Sequence, residues 1–201
     1  MTANSNVSDS DLVQAMLAGE EAALTALYER RARDVHRFAL QMCGSQPLAD
    51  DVTQEVFLVL IREGHNFDAS RGSLSAFLMG VARNHVLRRL RRERFYVAKE
   101  DGNDATTTTS RSTENPLDDL SRTETIESVR RSVLALPERY REVVVLCDLQ
   151  ELSYVEAAEI LGCAVGTVRS RLHRARALLI EKLRPARDAD AVEVKSVRCF
   201  A

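Results

Sequence analysis

Apolar side chains recur at intervals of three and four along most of the chain. No stretch alternates apolar and polar positions between turn residues, so the sequence predicts helices and no strands. Leu12, Val13, Met16 and Leu17 follow the capping-competent Ser8-Asp9-Ser10 and open a first helix. A second is predicted over about residues 22–42, ending near Gly44, and a third over about 48–63. In the third, Val52, Val56, Val59 and Leu60 fall on one face while Asp51, Gln54, Glu55, Leu58 and Arg62 share another. A turn over 67–72 leads to a fourth helix over about 73–95. There Leu74, Phe77, Leu78 and Val81 face inward, and Asn84, Arg88 and Arg91 form a separate line.

Helical periodicity stops after this. Residues 97–118 include Asp101-Gly102-Asn103-Asp104 and four consecutive threonines, with almost nothing apolar to bury. This segment is predicted to be a flexible acidic linker. It divides the chain into a first domain over 8–96 and a second over 119–184, with a tail at 185–201. Helices are predicted in the second domain at about 119–135, 137–149, 153–161 and 165–183, Pro137 suiting a first helical position. Ser153-Tyr154-Val155-Glu156 has the spacing of a capping box, and Gly162 is placed for a left-handed helix end. A short helix therefore stops at Leu161, turns, and a longer one begins. The expected fold is all-α: two small helical domains joined by a flexible acidic linker, the C-terminal one containing a helix-turn-helix.

The last helix carries two stripes. Val165, Val168, Leu172, Ala175 and Leu179 are spaced for packing, while Thr167, Ser170, Arg171 and Arg174 lie at i, i+3, i+4 and i+7. A hydroxyl-and-arginine stripe fits a DNA major groove, because arginine donates two hydrogen bonds to guanine and hydroxyls hold phosphates. Arg169, His173 and Arg176 flank the stripe and are placed for backbone phosphates.

Charge distribution sharpens this. The 201 residues carry a formal net charge of −2, which excludes a generally basic nucleic-acid coat. Yet residues 83–94 are net +5 and 153–187 net +4, with 97–124 between them at net −4. The longest apolar run, Val56 to Ile61, is six residues, too short to span a bilayer, and no leader-like segment opens the sequence; a cytoplasmic protein without membrane insertion is expected. Cys43, Cys147, Cys163 and Cys199 lack ligand spacing and read as reduced, mostly buried thiols. Paired Asp50 and Asp51 have no histidine at helical spacing and are not expected to make a metal site. No phosphate-cradling glycine loop or nucleophile elbow occurs, so neither a cofactor nor an enzymatic activity is expected.

The segments from Leu136 to Val144, Leu152 to Gly162 and Gly166 to Arg176 resemble region 4 of bacterial extracytoplasmic-function sigma factors, a group within the sigma-70 family. Independently, Asp50-Asp51-Val52-Thr53-Gln54-Glu55-Val56-Phe57 is similar to that family's region 2.2, and Gly72 to Arg92, with Ala82-Arg83-Asn84, to regions 2.3 and 2.4. The resemblance implies an RNA polymerase subunit that directs core enzyme to promoter DNA. Region 2 would open the minus-ten element and region 4 would read the minus-thirty-five element. It assigns Asp51, Gln54, Glu55, Leu58 and Arg62 to contact with the clamp helices of the largest polymerase subunit. Phe67, Arg71, Ser73 and Asn84 become candidates for capturing a flipped base, with Arg83, Arg88, Arg91 and Arg92 on phosphates.

Four departures stand out: Phe77 replaces a usual tryptophan, Arg88 a common aspartate, Ala157 a frequent isoleucine, and Ala164 lacks a capping hydroxyl. An anti-sigma protein is the expected further partner. The alternative reading is a helix-turn-helix regulator acting without polymerase, which leaves the third helix and the basic fourth helix without a role.

Overall fold

The computed structural model describes residues 7–100 and 117–183; the predicted tail, most of the linker and Cys199 lie outside them. Among the described residues there are eight α-helices and no strand. The first four are α1 (Asp9–Leu17), α2 (Glu21–Cys43), α3 (Gln46–Glu63) and α4 (Leu74–Glu100). Ser8 caps α1, its side chain accepting from the Asp11 amide, and Asp9 is held by Arg30 and Arg31 of α2. Ser45 caps α3, and a short 3-10 turn, Gly64–Asn66, ends it. The bundle closes on Leu27, Phe38, Met42, Val52, Val56, Leu60, Leu78 and Met79, all buried. Each large side chain so enclosed contributes about 1.5–3 kcal/mol.

The second bundle contains α5 (Leu117–Leu134), α6 (Glu138–Val144), α7 (Tyr154–Leu161) and α8 (Val165–Leu183). Pro137 is the N-cap of α6 rather than its first helical residue. The helix predicted over 137–149 changes character at Val145, where a π turn over Val145–Leu149 widens the coil before the helix-turn-helix. Leu136, Val143, Val145, Leu146, Ala157, Val168, Leu172 and Ala175 form its interior.

The two bundles are packed against each other, which the sequence did not predict. Their buried side chains form one continuous cluster. Gly44 is pressed by Leu134: a Cβ there would stand 2.8 Å from Leu134 Cδ1, and its φ of 73° is itself unfavourable for other residues. Polar contacts surround this seam. Arg141 Nη1 donates to the Met42 carbonyl at 2.7 Å, and Gln150 Nε2 to Gln41 Oε1 at 2.8 Å.

Candidate polymerase and nucleic-acid interfaces

On α3 the core stripe is Val52, Thr53, Val56, Phe57 and Leu60, with Val59 half-buried. Asp51, Gln54, Leu58 and Arg62 are exposed and Glu55 is partly so, which leaves the five candidate polymerase contacts on the outer face of the helix. Leu58 is 45% exposed and Ile61, one turn on, 46% exposed. Tyr28 of α2 is also exposed, its ring tilted against Phe57 at 4.8 Å. An apolar centre rimmed by charge is how an interface is built. The sequence pattern does not single out Ile61 and Tyr28, although Ile61 stands at i+3 from Leu58, a spacing that marks the same face. Asp51 lies 3.9 Å from Arg89 of α4, and Asp50 lies 3.1 Å from His36 of α2.

The segment before α4 is ordered by its own polar groups. Asp68 accepts from the Ser70 amide at 2.9 Å and the Ser70 hydroxyl at 2.7 Å, which holds its carboxyl below the usual aspartate range. Arg71 beyond it is exposed. Phe67 is half-buried, its ring 5.8 Å from that of Phe77, so Phe77 packs against the loop. Phe77 and Val81 are half-buried, and the inner stripe of α4 runs instead through Leu74, Leu78, Met79, Ala82 and Val86. Asn84, Arg88, Arg91 and Arg92 are exposed on α4. Burial, then the charge of Arg88, holds His85 below the usual imidazole range.

Ser73 and Arg83 differ from these. Ser73 caps α4, its Oγ accepting from the Ala76 amide, and donates to Glu156 Oε1 at 2.6 Å. Glu156 is also the carboxylate of the α7 capping box, taking the Ser153 amide on Oε2 at 3.0 Å. Burial opposes its ionisation, but the Ser73 and Ser153 bonds outweigh that and hold it below the usual glutamate range. Arg83 Nε donates to Glu142 Oε1 at 2.7 Å, and the Glu142 side chain is only 6% exposed. Two candidate minus-ten residues are thus bonded to acids of the second bundle.

α7 ends at Gly162, whose φ of 62° is left-handed, and α8 begins three residues later. Ala164 offers no hydroxyl; its carbonyl accepts from the Thr167 and Val168 amides. Val168, Leu172 and Ala175 are buried, with Val165 and Leu179 half-buried. Ser170, Arg174, Arg169, His173 and Arg176 are exposed, and Thr167 and Arg171 are partly so. The structure therefore places all seven candidates on the outer surface of α8. Three of its arginines are already engaged. Arg169 lies over the Tyr154 ring at 5.9 Å, a bond from Arg174 lowers the Tyr140 hydroxyl's pKa, and Arg176 pairs with Asp148.

Cys147 and Cys163 are free and half-buried rather than buried, and Cys43 is half-buried with its Sγ against the Ser45 backbone. Among the described residues no cluster could hold a metal, and no helix is long and apolar enough to cross a membrane.

The sigma-70 region 2 model matches residues 27–96 and the sigma-70 region 4 model residues 126–179. The chain is 30% identical over 172 residues to the ECF RNA polymerase sigma factor SigW of Bacillus subtilis, covering 83% of this chain and 91% of that one. It is 32% identical over 183 residues to SigM of Mycobacterium tuberculosis, covering 88% and 85%. Among solved structures it resembles CnrH in complex with the cytosolic domain of CnrY, at 27% identity and a TM-score of 0.66 over 90% of this chain and 98% of that one. The sigma factor RpoE in complex with the anti-sigma factor NepR, from Bartonella quintana, shares the fold at a TM-score of 0.66, covering 80% and 96%. With matching regions 2 and 4 in the family's order and relatives aligned over most of their length, the chain belongs to the extracytoplasmic-function sigma factors of bacterial RNA polymerase.

Proposed function

We propose that this sigma factor acts in the cytoplasm as a non-catalytic initiation subunit, with residues 8–96 and 119–184 as its working modules and 97–118 as their tether. The outer face of α3 docks on the clamp helices of the polymerase through Leu58, aided by Ile61 and Tyr28. Asp51, Gln54, Glu55 and Arg62 set the register around that apolar centre. The loop at Phe67 and Arg71, with Ser73 and Asn84, receives an unstacked base of the minus-ten element. Arg83, Arg88, Arg91 and Arg92 hold the strand's phosphates. On α8, Thr167, Ser170, Arg171 and Arg174 read base edges of the minus-thirty-five element, and Arg169, His173 and Arg176 contact its backbone.

The observation that carries this reading is the division of α3, α4 and α8 into a buried apolar stripe and an outward face bearing these residues, save Phe67 and Arg71 on the loop and Ser73 and Arg83 at the second bundle. Charge explains why polymerase is needed. A chain at net −2 gains little from counterion release on duplex DNA. The two bundles are packed against each other, whereas two turns of DNA extend about 70 Å. Core enzyme must therefore part the bundles, breaking the Ser73–Glu156 and Arg83–Glu142 contacts and freeing both region 2 side chains. An anti-sigma protein would hold the opposite state, as partners of this type are bound in the RpoE–NepR complex. The test is binding to purified core polymerase by the intact chain and by a Leu58→Glu variant. Tight binding that the substitution weakens at least tenfold supports the assignment; equal binding by both removes α3 from the interface.

A further inference from the structure

Arg176 lies about three turns into α8 and is tied to a residue outside the helix-turn-helix. Its Nε donates to Asp148 Oδ2 at 3.0 Å and its Nη2 to Oδ1 at 2.6 Å, a two-bond fork. Asp148 belongs to the π turn that precedes α7, so the fork fixes the recognition helix against the element in front of it. The Tyr154 hydroxyl lies beside the same guanidinium, and the Tyr154 ring lies beneath Arg169. Arg176 nonetheless remains 54% exposed. The carboxylate occupies the Nε–Nη2 edge, so the remaining donors, on Nη1 and the outer side of Nη2, are those shared between the Tyr154 hydroxyl and solvent.

We propose that Asp148 is a specificity-determining residue of the upstream-element contact. It fixes the Arg176 guanidinium so that the donors turned away from the carboxylate can meet two oxygens of a backbone phosphate, and neutralises a charge that would otherwise bind any duplex. The proposal rests on the reading of α8 as the DNA-reading helix. A phosphate is favoured over a base because recognition helices meet base edges through their N-terminal residues, and Arg176 follows Thr167, Ser170 and Arg171 by more than a turn. An unpaired arginine adds to sequence-independent affinity by releasing a counterion. Paired with Asp148 it contributes almost no net charge. It then acts only where a phosphate falls on its oriented edge, and an out-of-register phosphate meets the carboxylate instead.

The test compares the intact chain with Asp148→Asn, Asp148→Glu and Arg176→Gln variants. Each is titrated as free protein with a labelled duplex of arbitrary sequence across a salt series. Each is then assembled with core polymerase and used to select upstream elements from a randomised promoter library. Asp148→Asn should bind the arbitrary duplex more tightly, steepen the salt dependence by about one ion, and lower discrimination between selected and scrambled elements about tenfold. Asp148→Glu should restore discrimination. Arg176→Gln should lose discrimination without gaining arbitrary binding.

Unchanged salt dependence and discrimination in Asp148→Asn would overturn the proposal. So would weaker binding to both DNAs with a lowered melting temperature, the mark of a purely structural role. A defect of Arg176→Gln confined to one base pair would overturn the phosphate assignment. An Arg174→Ala variant separates the two levels. If it too leaves discrimination intact, the reading of α8 fails; if it abolishes discrimination while Asp148→Asn does not, only the role of Asp148 fails.

Discussion

Single side chains already carry conflicts that can be measured. Glu151 is the one described non-glycine residue with positive φ, at 57°, where a Cβ costs about 1–2 kcal/mol. Part of that is offset by glycine's greater freedom when unfolded. Glu151→Gly should raise stability by up to about 1 kcal/mol in urea denaturation, and a loss would show that Glu151 makes a compensating contact. Burial, reinforced by the charge of Asp148, pushes the Cys147 thiol up to about 11. It stays protonated at neutral pH, so its native-state alkylation, followed by mass spectrometry, should be far slower than in denaturant. Of these features the sequence held only the identities. The strain at Glu151 arises from the way the π turn meets α7, and no local propensity signals it.

Helices were the legible part. Ser8, Ser153 and Gly162 cap where their side chains and flexibility demand, and the stripe on α8 is buried at Val168, Leu172 and Ala175 as its spacing predicts. Ser153→Ala should cost about 1 kcal/mol, since it removes the α7 cap. Legibility failed where a helix has more than one partner. Phe77 and Val81 look like core by spacing, but both are half-buried at its margin, Phe77 against Phe67 of the loop, and Met79 and Ala82 are fully enclosed beside them. On α3 the outer face was readable because charged residues mark it, whereas Ile61 was lost among apolar neighbours that are truly buried. Leu58→Glu should cost no more than about 1 kcal/mol of stability, because nearly half of the residue is already exposed, so a tenfold loss of polymerase binding with the fold intact reports the contact itself.

For the molecule as a whole, the docking of the two bundles was invisible in sequence. It depends on pairs far apart along the chain, Arg83 with Glu142 and Ser73 with Glu156, and a charge count sees these only as two basic segments around an acidic one. Glu156 titrates below its ordinary value, so its contribution to docking is present above the usual glutamate range near 4.5 and lost as pH falls through the lowered value. The hydrodynamic radius of the free chain should therefore grow as pH falls below the usual glutamate range, and less so in Ser73→Ala, where that contact is already gone. Glu142→Gln should open the molecule at neutral pH as well. The most direct trial of the account is transcription from a genomic fragment library by core enzyme with the purified chain, start sites being mapped by sequencing. The account predicts new starts sharing elements near minus ten and minus thirty-five, diminished by Leu58→Glu and altered in sequence by Arg174→Ala. Start sites identical with and without the chain would contradict it.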